Sequence, residues 1–194
     1  NGEYKYYRKI LLLGIAVTSF IVYGAIIIRG HQYMYYDIGG GDEPEAYIPL
    51  FVSYINQIKS GTLSSWTFFN GLGTSTTAIF GFLLNPFLLL VFLSGIIFGI
   101  STINTMLLVA QLLNIVVCGL LCYKYLDNFK GSYFSKAIAS YICAFNGYMI
   151  LYAQHYVHSD FCFYLLVILI LIEKIKKSRQ STLVHIYFAL CCAI

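Results

Sequence analysis

Long uncharged stretches alternate along this chain with short polar clusters, and the alternation predicts its elements. Ile10–Ile28 carries no Asp, Glu, Lys or Arg, and neither does the whole of Ser60–Tyr123. Apolar runs near the ~20 residues needed to cross a bilayer predict spans at about 10–28, 103–123, 137–156 and 161–175, with another beginning at 183. A further apolar run, Ala78–Ile100, is interrupted by Asn85-Pro86.

Between the first two spans lies a different pattern. Tyr47, Leu50, Phe51, Tyr54, Ile55 and Ile58 recur at three- and four-residue spacing among polar neighbours, which predicts an amphipathic helix over 43–59 lying in the membrane interface. Asp42 suits its N-cap and Pro44 its first turn; Pro49 either kinks the helix or marks its start. Gly61–Thr77 is turn-rich, with Asn70-Gly71 and Gly73 as tight turns and Trp66, Phe68 and Phe69 as headgroup anchors.

Composition agrees with this pattern. The 194 residues are 59% hydrophobic and 10% charged, against about a quarter charged in soluble domains, so the expectation is an all-α polytopic membrane protein. The net charge of +4 comes from short clusters flanking the runs, not from the contiguous basic surface that nucleic-acid binding requires. Cys118, Cys122, Cys143, Cys162, Cys191 and Cys192 lie in or against apolar runs without a C-x-x-C pair, and are expected as small buried hydrophobes. Ile10–Ile28 exceeds the apolar region of a cleaved signal and is expected as a retained helix. The chain opens on Asn1 and closes within the apolar run Leu183–Ile194, and is expected to be the N-terminal fragment of a longer protein.

Charge also bears on topology. Lys5, Arg8 and Lys9 precede the first span and place its start in the cytoplasm. If Ala78–Ile100 spans, the lysines at 124, 130 and 136 and those at 174, 176 and 177 fall outside. If it re-enters at Asn85-Pro86, both clusters fall inside. Short-loop charge bias favours the re-entrant form, which puts Asp42 and the motif His155, His158, Asp160 on the outer side.

An acid at the start of a span is costly in lipid and marks a candidate site. Asp42 is the first candidate catalytic residue, as a base within reach of an acceptor hydroxyl; its plain alternative is an N-cap. Asp160 either positions an acceptor, helps hold a divalent cation or caps the next helix. His155 and His158 suit a bound phosphate or an ordinary interface, and with Asp160 they form a weak zinc pattern. Gly39-Gly40-Gly41 is an anion-binding backbone or a hinge. Asn104, Gln111 and Asn114 are expected to form a polar seam in one span, and Asn146-Gly147 a close-packing or hydrogen-bonding point in another.

The order Asp42, Tyr47, Pro49, Trp66, Gly71-Leu72-Gly73, Pro86-Phe87, Tyr141 and Phe145-Asn146-Gly147 resembles the bacterial YfhO family of membrane glycosyltransferases with the GT-C fold. The resemblance implies a transmembrane helix bundle with a long first outer loop holding juxtamembrane or re-entrant helices. It implies transfer of a sugar from a polyprenyl-phosphate carrier to a cell-wall or teichoic-acid-type polymer on the extracytoplasmic face of the bacterial cell membrane, with a partner enzyme making the lipid-linked donor. Asp42 and Asp160 would be the catalytic acids, and His155, His158 and Arg29 the phosphate contacts, with a divalent cation as a candidate cofactor. Ala46, Asn85 and the region of Gln111 depart from the family pattern, which leaves open altered substrate contacts or an inactive structural subunit. A polysaccharide or lipid flippase is the rival function, pointed to by the seam Asn104, Gln111, Asn114.

Overall fold

The computed structural model describes residues 2–29, 47–62, 64–68, 73–75, 84–151, 160–177 and 182–193. They are largely helical and fall into two compact units. Among the described residues two helices are long and apolar enough to cross a membrane, over Gly2–Gly24 and Ile100–Leu126, consistent with membrane association.

The first unit is a helix bundle. It contains α1 (Gly2–Arg29) as far as Ala25, α4 (Ile103–Leu126) from Leu112, and then α5 (Tyr133–Ala144), α6 (Gly147–Leu151), α7 (Phe161–Lys177) and α8 (Thr182–Ala193), the last packed on α7. Helix α1 turns Leu11, Ile15 and Tyr23 inward. Its outer face is equally apolar: Leu13, Val17, Phe20 and Ile21 are exposed, Ile21 by 73%. Phe134, Ile138 and Ile142 do the same on α5, and Leu183, Ile186 and Leu190 on α8. Meanwhile Asn114, Ser140 and Asp160 are buried. Apolar outside with polar groups within is the arrangement expected where lipid, not water, surrounds the helices.

Contacts at both ends fix the helix directions. Tyr4 of α1 stacks on Tyr123 of α4 at 4.9 Å, and the Tyr123 hydroxyl donates to the Tyr4 carbonyl at 3.2 Å. Further along, a Cβ on Gly119 would lie 2.6 Å from Ile15 Cδ1 and 3.3 Å from Ala144 Cβ, so α1, α4 and α5 meet closely there. Residue numbers rise along α1 as they fall along α4; the two are antiparallel. Helix α5 runs with α1, since Tyr4 lies 5.8 Å from Tyr133 and Thr18 Oγ1 is 2.7 Å from Tyr141 Oη. Helix α7 runs with α4, because Asp160 meets Asn114 while Lys177 meets Asn128. The chain therefore leaves this bundle after Ala25 and rejoins it at Leu112 at the same end.

Residues 137–156, expected as one span, are not one continuous helix. Ser132 caps α5 by accepting from the Ser135 N–H at 3.2 Å, and α5 stops at Ala144. Asn146 then donates to the Cys143 carbonyl at 2.6 Å and accepts from the Met149 N–H at 2.9 Å. One side chain thus serves both the end of α5 and the start of α6, which is how a break is tolerated among apolar neighbours. Residues 152–159 lie outside the described set.

The second unit holds α2 (Ile48–Ser60), a short antiparallel pair β1 (Trp66–Thr67) and β2 (Thr74–Ser75), α3 (Pro86–Ile97), and the 3-10 turn Ile100–Thr102 leading into α4. Over 43–59 the described helix starts at Ile48 with Pro49 in its first turn, so Pro49 marks its start and does not kink it. Residues 41–46 lie outside the described set. Gly61 ends α2 in the left-handed region at φ 66°, where glycine carries no Cβ penalty. Phe51 meets Phe92 edge-on at 4.9 Å, and Gly95 lets Ile55 against the α3 backbone. The strand pair was not expected within the turn-rich segment. It joins Trp66 to Ser75 and Thr67 to Thr74.

Helix α3 begins where Asn85-Pro86 predicted an interruption. Asn85 Oδ1 accepts from the N–H groups of Phe87 and Leu88 at 2.8 and 2.9 Å, and Pro86 occupies the first turn where it needs no donor. At 12 residues, α3 is about 18 Å long, short of the ~30 Å hydrocarbon core. Gly99, at φ 104°, and the 3-10 turn then redirect the chain, with Thr102 Oγ1 donating to the Gly99 carbonyl at 2.8 Å.

Candidate functional site

Asp160 stands immediately before the uncharged stretch Phe161–Ile172. Its carbonyl accepts from the Tyr164 N–H at 3.0 Å, so the first turn of α7 is built on it. Despite its position at a helix head, the residue is only 4% exposed. Its carboxylate is bonded not to its own first turn but to the neighbouring helix: Asn114 Nδ2 of α4 donates to Asp160 Oδ1 at 3.1 Å. The simple N-cap role is thus replaced by an interhelical one.

Asn114 is itself 1% exposed, and its Oδ1 accepts from Cys118 Sγ at 3.2 Å. The amide therefore links a thiol one turn along α4 to the carboxylate on α7. Asp160 Oδ2 is buried and has no hydrogen-bond partner among the described residues. An unsatisfied buried acceptor costs about 1–3 kcal/mol, more when charged, so this oxygen is the clearest unmet demand in the bundle. An incoming hydroxyl, amine or cation would meet it.

Asp42, His155 and His158 lie outside the described residues; Arg29 closes α1, and its side chain is likewise outside them. Of the expected site residues, Asp160 is the one whose surroundings are described. Among the described residues no group of three or more His, Cys, Asp and Glu gathers to hold a metal ion. Asn114 had been expected only as part of a polar seam. The amides at 104, 111 and 114, spaced seven and three residues apart on an otherwise apolar helix, marked a polar face but not its partner on α7. Gln111, one turn before Asn114, is also buried, at 1% exposure.

At the other end of α7, Lys174, Lys176 and Lys177 lie roughly 21–25 Å from Asp160, taking 1.5 Å per residue along its 17 residues. Lys177 Nζ donates to Asn128 Oδ1 at 2.6 Å, tying the end of α7 to the turn between α4 and α5. The buried acid and the basic end are thus separated by most of the length of one helix.

No protein-family model, curated protein or solved structure matches this chain.

Proposed function

We propose that the chain belongs to a membrane glycosyltransferase that moves a sugar from a polyprenyl-phosphate carrier to a cell-wall or teichoic-acid-type polymer on the outer face of a bacterial membrane. The observation that supports this reading best is Asp160: a buried carboxylate, oriented by Asn114, with Oδ2 left to accept a hydrogen bond. A hydroxyl of the acceptor polymer is a ligand of the right chemistry. In this reading Asp160 orients that hydroxyl, and Asp42 takes its proton as the oxygen attacks the anomeric carbon. The bond to the carrier phosphate breaks, and the phosphate leaves as an anion held by His155, His158 and Arg29, with a divalent cation as a candidate aid. Antiparallel α1 and α4 favour a first loop that starts and ends on one side of the membrane, the outer side if the lysines are cytoplasmic.

The test is replacement of Asp42 and Asp160 by Asn, one at a time, in cells whose polymer glycosylation is measured. Each change is expected to abolish sugar addition at unchanged protein level. Wild-type glycan content in either variant would remove that residue from the mechanism.

A flippase is the second reading, favoured by the buried amides Gln111 and Asn114 within one long apolar helix. It requires movement of a lipid-linked saccharide across vesicles without sugar transfer, and greater sensitivity to Gln111→Leu than to Asp42→Asn.

A further inference from the structure

The contacts that set the helix directions also gather the basic residues of the first unit at one end. Tyr4 and Tyr123 hold the start of α1 against the end of α4, bringing Lys5 and Arg8 to the level of Lys124. Tyr133 packs against Tyr4 and adds the start of α5. The bond from Lys177 to Asn128 adds the end of α7. Lys136 is used internally: it pairs with Asp127 at 3.4 Å and sits 4.9 Å over the Tyr133 ring. Lys176 pairs with Glu173 at 2.7 Å. The others stay exposed, and Lys5, Arg8, Lys124, Lys130 and Lys174 make no salt bridge among the described residues. Beside them the aromatic side chains Tyr6, Phe129 and Phe134 are also exposed.

We propose that this end of the bundle is a docking surface for the headgroups of anionic phospholipids, with the lysines and Arg8 on the phosphates and the three aromatic side chains at the boundary with the acyl chains. Charge complementarity commits the surface to this partner. Cations that make no salt bridge among the described residues are brought to one end by four chain segments, whereas acidic groups at this end are fewer and Asp127 and Glu173 are already paired. An aromatic fringe next to such cations fits the layered chemistry of a headgroup region, and each lysine near an anionic leaflet adds about a five-fold preference. The proposal stands apart from glycosyl transfer and rests on the membrane-spanning reading alone.

The experiment reconstitutes the chain in bilayers containing equal amounts of phosphatidylglycerol and phosphatidylcholine, and measures the lipids retained on gentle extraction by native mass spectrometry. Wild-type protein is expected to retain phosphatidylglycerol in at least about five-fold preference, and to lose that preference in high salt. Lys5→Gln, Arg8→Gln, Lys124→Gln, Lys130→Gln and Lys174→Gln combined should remove it, while Lys59→Gln, on α2, should not. Equal retention of the two lipids by wild type overturns the proposal whatever the variants do. So does a preference that survives in the folded combined variant, folding being read by helical circular dichroism.

Discussion

Asn114 Nδ2 donates to Asp160 Oδ1 at 3.1 Å, linking two helices that run in the same direction through a bond buried from solvent. Because the Asn114 carbonyl oxygen is occupied by Cys118, the amide has a defined orientation, and it presents its donor to the acid. The carboxylate is held at one oxygen and open at the other.

That asymmetry predicts a non-additive pair. Asn114→Leu leaves both Asp160 oxygens buried without this partner and is expected to destabilise the bundle by about 1–3 kcal/mol. Asn114→Leu combined with Asp160→Leu should cost less than the sum of the two single changes, because no orphaned carboxylate remains. Unfolding titrations of the four proteins in detergent measure the coupling. Strict additivity would show that the bond contributes nothing to stability.

Gly119 sits where α1, α4 and α5 approach, with room for a hydrogen and no more. Gly119→Leu should force the helices apart and cost roughly 1–3 kcal/mol or more. Gly119→Ala should cost less, since Ile15 Cδ1 can rotate away and Ala144 needs to yield only slightly. Midpoints of thermal unfolding ranked wild type, Ala, Leu would agree; a Leu variant as stable as wild type would mean the contact is not close.

Tyr54 of α2 is buried at 1% exposure, and its hydroxyl has no hydrogen-bond partner among the described residues. Tyr54→Phe should therefore be neutral or stabilising, by up to about 2 kcal/mol. Burial also pushes the Tyr54 phenol above its usual 10.0. The unfolded chain then ionises first, so the wild-type protein should lose stability as pH rises through that ordinary value. Tyr54→Phe should flatten part of that fall, as read from unfolding midpoints between pH 8 and 11.

Shared ends predict shared accessibility. Lys5→Cys, Lys124→Cys and Lys174→Cys should all react with a membrane-impermeant maleimide from one and the same side. Labelling of Lys5→Cys and Lys124→Cys from opposite sides would contradict the antiparallel pairing of α1 and α4.

Much of the helical content was legible in the residues. Ile103–Tyr123 and Phe161–Ile175 needed only their long, predominantly apolar runs, and α3 could start at Pro86 because proline lacks the donor that a first turn does not need. The β1–β2 pair was not legible, since two-residue strands have too few positions to show alternation. The break at Asn146 was only half legible: asparagine beside glycine marks an irregularity, but whether it packs within a helix or caps a new one depends on which carbonyl its amide reaches.

The same division holds for the candidate site. By itself the sequence determined that the chain is largely helical and rich in long apolar runs, and that Asp160 stands at the head of an apolar stretch, because hydrophobic periodicity and charge are local properties. Only the tertiary structure decided that Asp160 is bonded to Asn114, that α1 and α4 run in opposite directions, and that the basic residues of four segments share one end. Those facts depend on the rotation of each helix about its axis and on its register against its neighbours. Close approaches such as Ile15 to Gly119 set them, and no single stretch of sequence contains both sides of such a contact.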